Sequence, residues 1–123
     1  MYCNEYVSTS GTQNYLNAIS NYEALKGQQT NLYKCFLPLA WNYNNQRGTS
    51  AFVHPDGIYD DPNGGLLREL LYPRLRYHFQ FINERRLFAE VHHSTIFSLN
   101  IYSNLLHEEF DSISNLYSVE TIE

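Results

Sequence analysis

The stretch "LFAEVHHSTIFSLNIY", residues 87–102, sets Glu90, His92 and His93 close together, three residues of types that ligate divalent cations. Metal ligands converge when about two to four residues or one helical turn separate them, whereas neighbours on an extended chain point to opposite faces. His92 and His93 are therefore not expected to share an ion. Glu90 and His92 would converge from one strand face, with Cys3, Cys35, His54 and His78 as further candidates, but no spacing is that of a metal centre and none is expected. Serine-histidine hydrolase chemistry has no sequence support either: the G-x-S-x-G elbow is absent, and "GTSAF" does not replace it.

Two other residue types carry potential chemistry. Cys3 and Cys35 have no framework spacing and no signal peptide ahead of them, so reduced thiols are expected. Five of the eight basic residues, Arg68, Arg74, Arg76, Arg85 and Arg86, fall within nineteen positions. That cluster either contacts phosphate or forms a solvated face pairing with Glu69 and Glu84. The formal net charge of −5 argues against non-specific nucleic-acid binding by this chain alone.

The elements that must position these residues follow from periodicity. With 123 residues and 43% hydrophobic content, one domain is expected. No apolar run reaches the roughly 18 residues of a membrane helix, so no membrane partner is expected and a cytoplasmic address follows by default. A first helix is expected over 12–26, capped by Thr12, with Tyr15, Ile19 and Tyr22 at helical spacing and Gly27 past its end. A second, over 30–45, starts at Thr30 and shows an amphipathic face of Leu32, Cys35, Phe36 and Leu39, with Pro38 kinking or ending its regular part. A third, over 63–72, follows Asp61-Pro62 and carries a stripe of Leu66, Leu67, Leu70 and Leu71.

Strands are expected over 50–54, 76–82 and 95–102. The last two alternate cleanly, Tyr77, Phe79 and Phe81 against His78 and Gln80, then Phe97, Leu99 and Ile101 against Ser98 and Asn100. About a dozen residues without helical pattern join them, which suits an antiparallel pair. Beyond them a loop with a short helix around 110–116 is expected. The class is α/β.

In this order the residues resemble a family, the N6-adenine-specific DNA methyltransferases, especially the large enzymes of type IIG restriction-modification and BREX phage-defence systems. "NLYKCFL" is similar to the fifth motif, and "TSAFVHPDGIYDDPNGGLLRELLYPRLRYHFQFINERRLFAEVHHSTIFSLNIYS" looks like the sixth to eighth. The resemblance implies the C-terminal part of a Rossmann-like methyltransferase sheet, residues 1–123 forming one partial domain. "SAFVHP" would be the fifth strand, "YHFQFIN" the sixth and "TIFSLNIYS" the last, antiparallel one. S-adenosylmethionine would be the cofactor of the full-length enzyme and DNA its partner.

The family's glycine-rich cofactor loop and its Asn/Asp-Pro-Pro-aromatic catalytic motif do not occur between Met1 and Glu123. No catalytic residue, bound cofactor or methyl transfer is therefore expected of this chain alone. The resemblance implies that Phe88 packs on the extruded adenine, ordinary core being its other reading. It sets Asn31 and Tyr33 beside the cofactor and catalytic loop, with helix start and packing as the alternative, and brings Arg85, Arg86 and His93 to the DNA backbone, simple exposure being the other reading of His92 and His93. A domain so cut exposes a strand edge and apolar faces, to be covered by the missing N-terminal half or by self-association. The rival reading is a small non-enzymatic α/β interaction module or regulator.

Overall fold

The computed structural model describes residues 2–17, 22–29 and 31–122. Its helices are α1 (Tyr2–Asn17), α2 (Leu32–Tyr43) and α3 (Gly65–Leu71), and its strands β1 (Thr49–Pro55), β2 (Leu75–Ile82), β3 (Ile96–Ser103) and β4 (Asp111–Leu116). The strands form one mixed sheet in the order β1-β3-β2-β4. β3 runs antiparallel to both β1 and β2, so these two share one direction, and β4 is parallel to β2. The connection between β2 and β3, which holds a single 3-10 turn at Asn83–Arg85 and no α-helix, thus joins an antiparallel pair, as its length implies.

Alternation sorts the sheet into two faces. Phe52 and His54 of β1, Ser98, Asn100 and Tyr102 of β3, and His78 and Gln80 of β2 look toward the helices. There Leu37 and Trp41 of α2, Leu67 and Leu71 of α3, Ile58, Leu75 and Tyr102 make the main core. On the reverse face Val53, Leu99, Phe79 and Ile113 lie side by side across all four strands, in register. No α-helix of the described residues covers them, and only the 3-10 turn Val119–Ile122 lies beside Val53 and Leu99: Val53 is 53% exposed and Ile113 42%. Among the described residues Phe81, Phe97 and Leu116 are buried on this side, with Phe79 and Leu99 half-buried against them.

Several expectations are corrected. The strand β4 stands where a loop and short helix were expected, and it, not β3, is the last strand, so the last strand is parallel to its neighbour. Of the helix expected over 12–26, the described part belongs to a helix that begins at Tyr2; residues 18–21 lie outside the described residues, and 23–25 form a single 3-10 turn. Thr12 therefore caps nothing. Inside the helix its hydroxyl donates to the Ser8 carbonyl at 3.0 Å, the back-bonding open to a mid-helix threonine. Gly27 does close the turn, at φ +81°.

The Thr30 cap and Ile19 lie outside the described residues. α2 starts after Asn31 and continues through Pro38 instead of ending there. Its buried residues are Lys34, Cys35, Leu37 and Trp41, whereas Leu32 and Phe36 of the expected face are 57% and 48% exposed. The helix is turned because the Lys34 ammonium meets Asp61 at 2.5 Å and Gln28 at 2.9 Å, which lets a lysine stem point inward. In α3 the leucine stripe is likewise split, Leu67 and Leu71 buried, Leu66 and Leu70 partly exposed. Among the described residues no helix is long and apolar enough to cross a membrane.

Candidate functional site

Because β1, β2 and β4 share one direction, their carboxyl ends, Pro55, Ile82 and Leu116, gather at one end of the sheet. Ligands of open α/β sheets bind outside such ends. Two segments are displayed there, one toward each face.

Toward the helices, the end of β1 runs into a 3-10 turn, Asp56–Ile58, around which buried polar groups join in a network. The Tyr59 hydroxyl donates to Asn100 Oδ1 at 2.5 Å, and Asn100 Nδ2 donates to His54 Nε2 at 3.0 Å. With Nε2 accepting, His54 Nδ1 carries the hydrogen and donates to the Pro55 carbonyl at 2.9 Å. His54 is thus neutral, and burial holds its pKa below the usual histidine range. The Tyr59 and Tyr102 hydroxyls are pushed up, first by burial. Asp56 accepts from His78 Nε2 at 2.9 Å and Gln80 Nε2 at 2.5 Å. Burial raises its pKa, but these bonds and one from Ser98 outweigh it and keep the carboxyl below its ordinary value.

Tyr33 belongs to this group, its ring stacked on His54 with centroids 5.5 Å apart. Asn31 is exposed at the start of α2, where its carbonyl accepts from the Lys34 amide and the Cys35 thiol. The resemblance implies S-adenosylmethionine near these two. With Tyr33 engaged by His54 and no glycine-rich turn in the sequence, the described residues do not by themselves fit that cofactor.

Toward the uncovered face stands the turn between β2 and β3. Its organiser is Asn83, fully buried. The Asn83 Nδ2 donates to the carbonyls of Phe88 and Val91, both at 2.9 Å, and its Oδ1 accepts from the Phe88 amide at 3.0 Å. Arg86 takes a left-handed φ of 52° within it. So held, Phe88 meets Phe97 edge to face at 5.0 Å and remains 44% exposed. It lines an open apolar cavity of about 290 Å³ with Leu87, Phe81, Phe97, Val53 and Ile122. Phe88 and Tyr33 therefore sit at the same end of the sheet but on opposite faces.

Arg85, Arg86 and His93 are exposed on this same turn. The other three arginines of the cluster cap backbone carbonyls: Arg68 those of Ile58 and Asp61, Arg74 that of Leu70, Arg76 those of Leu75 and Leu105. Glu69 and Glu84 are not their partners among the described ion pairs. The rings of His92 and His93 lie 4.3 Å apart, against the expectation of opposite faces, because the segment turns there instead of extending. No group of three or more His, Cys, Asp or Glu is placed to hold a metal among the described residues, and Cys3 and Cys35 are free thiols.

Sequence reasoning missed Asn83 and the Asp56–His78 pair. A lone Asn after a strand carries no periodic signal, and Asp56 lies 22 residues from His78. No family model matches the chain, and no curated protein matches it.

Proposed function

We propose that the chain is the C-terminal portion of the catalytic domain of a site-specific DNA adenine-N6 methyltransferase of the restriction-modification or phage-defence kind, inactive in methyl transfer alone. In this reading the sheet is the end of a Rossmann-like sheet. β1, β2 and β3 are its fifth, sixth and antiparallel seventh strands, and β4 is an addition. The observation that carries it is the turn at the carboxyl ends. An aromatic ring, Phe88, is presented from a rigidly bonded loop over an apolar cavity, with Arg85, Arg86 and His93 exposed beside it. A flipped adenine loses its stacking neighbours and gains them back from such a ring, while the guanidinium groups meet the phosphates on either side.

The arrangement of β3 supports the same reading, since it lies between two strands of common direction and runs against both. So does the free hydrogen-bonding edge of β1, which lacks charged residues over "TSAFV" and invites a further strand. S-adenosylmethionine supplies the methyl group when bound to the rest of the enzyme. The residues of this chain position the base and its backbone.

The test is reconstitution. Mixed with the polypeptide encoded immediately upstream, the chain is expected to restore S-adenosylmethionine-dependent methylation of adenine in DNA, while neither part acts alone. No methylation from a stable mixture, or a stable complex with an unrelated protein instead, would favour the interaction-module reading and remove this one.

A further inference from the structure

We propose that Ser112, His78 and Asp56 form a nucleophilic centre in which Ser112 is acylated by esters bearing an apolar acyl group. The proposal does not depend on the methyltransferase reading. Ser112 on β4 lies opposite His78 on β2, and its Oγ is 2.9 Å from His78 Nδ1. The other ring nitrogen, Nε2, is 2.9 Å from Asp56 Oδ1. Both His78 and Asp56 are buried, whereas Ser112 is an exposed residue on an edge strand, so the serine borders solvent and the groups behind it do not.

Proton placement follows from the partners. Asp56, held ionised by Gln80 and Ser98 as well as His78, only accepts, so Nε2 carries the ring hydrogen. That leaves the Nδ1 lone pair facing the Ser112 hydroxyl, which donates to it. In the familiar serine triad Nε2 faces the serine; here the ring is turned end for end and the proton logic is the same. The Tyr59 and His78 rings meet at a steep angle with centroids 4.8 Å apart, which restricts rotation of the imidazole. Serine, base and orienting carboxylate are thus within hydrogen-bond reach in sequence, the geometry that activates a nucleophile. The absence of a G-x-S-x-G elbow is no obstacle, because parallel strand pairing does the positioning instead.

The acyl group is suggested by what lies beside the site. Tyr72 stacks on Tyr59 at 6.2 Å, and Phe110, two residues before Ser112, stacks on Tyr72 at 6.1 Å. This row of rings runs outward from His78, and Tyr72 and Phe110 are each 41% exposed, an apolar shelf for an acyl chain. In the step, Ser112 Oγ bonds to the ester carbonyl carbon as its proton passes to His78 Nδ1. The carbon–oxygen bond to the leaving group then breaks, and that proton is returned to the departing alkoxide, giving an alcohol and acyl-Ser112. Water completes hydrolysis by the reverse proton route.

The experiment is covalent labelling of the full chain with a fluorophosphonate, in which fluoride leaves and the phosphonyl group stays on the serine, followed by peptide mass mapping. One adduct, on Ser112, is expected. Ser112→Ala, which removes only an exposed hydroxyl and should keep the wild-type circular dichroism, abolishes it. Ser114→Ala, on the same strand, leaves it unchanged. Asp56→Asn slows labelling at least about tenfold, since the ring then loses its fixed tautomer. Excess p-nitrophenyl butyrate present during labelling should slow formation of the adduct. No adduct on the wild-type chain, labelling on another serine, or undiminished labelling of Ser112→Ala would show that Ser112 and His78 share only a structural hydrogen bond and would overturn the proposal.

Discussion

Asn83 holds the turn that presents Phe88 with donors and an acceptor at once, so its removal should loosen that turn more than any change at its exposed residues. Asn83→Ala strands the Phe88 amide and the Phe88 and Val91 carbonyls, and is expected to cost about 1–3 kcal/mol in urea unfolding. Amide exchange at Phe88 should accelerate in step, and unchanged protection there would contradict this role. Phe88 itself is expected to matter little for stability: half-exposed, its replacement by Ala should cost under about 1 kcal/mol, against about 3 kcal/mol for the buried Phe97. Equal costs would make Phe88 ordinary core and weaken its assignment to the extruded base.

His54 gives a prediction in pH. It faces Asp56 and His78, and its ring is buried against Tyr33, Tyr59 and Tyr102. Burial sets its folded pKa below the ordinary 6.5, so on acidification the unfolded chain takes up the proton first and stability declines below that pH. Asp56, whose folded carboxyl is held below its ordinary 3.8, adds a second loss as pH falls further. Thermal unfolding between about pH 8 and pH 5 should show the first decline, and His54→Gln should flatten it. The same slope in the variant would place its origin elsewhere.

At the scale of elements, what the sequence revealed depended on whether one face of an element is apolar. β2 and β3 were legible because Tyr77, Phe79 and Phe81, and Phe97, Leu99 and Ile101, alternate with polar residues on one sheet face. β4, "DSISNL", was not: it is short, mostly polar, and broken by a bulge at Asn115, where φ is 62°. α1 begins ten residues before the expected helix because its Tyr, Ser, Thr and Asn residues form no stripe that would mark its start, and the helix is exposed almost throughout. α2 was found but turned, since the burial of Lys34 depends on Asp61, 27 residues away. Of the site, Phe88 was visible through a resemblance, whereas the bonds that hold it became visible only in three dimensions.

The free β1 edge belongs to this scale as well. With no partner, the chain is expected to associate through "SAFV", a charge-free edge beside an uncovered apolar face. Val53→Lys, at a residue 53% exposed, should shift sedimentation toward the monomer. A wild-type chain that sediments as a monomer at every concentration would contradict this.

For the whole molecule, the decisive contrast is between its two sheet faces. One is closed by α2, α3 and a polar network; on the other, among the described residues, Val53 and Ile113 stay exposed and Phe79 and Leu99 half-buried, beside the edge strand β1. The expectation of an apolar face exposed on each side is therefore corrected to one side. The outer surface of α2 adds Leu32, Phe36 and Tyr43 to the exposed apolar area. A contiguous exposed apolar patch on a sheet face marks a surface that another layer covers. Under the proposed function that cover comes from the upstream half of a methyltransferase.

The most direct measurement is to sequence the DNA on either side of the codons for Met1 and Glu123. The account predicts an upstream reading frame that encodes a glycine-rich cofactor loop and an Asn/Asp-Pro-Pro-aromatic motif. Flanking sequence that encodes neither would contradict it.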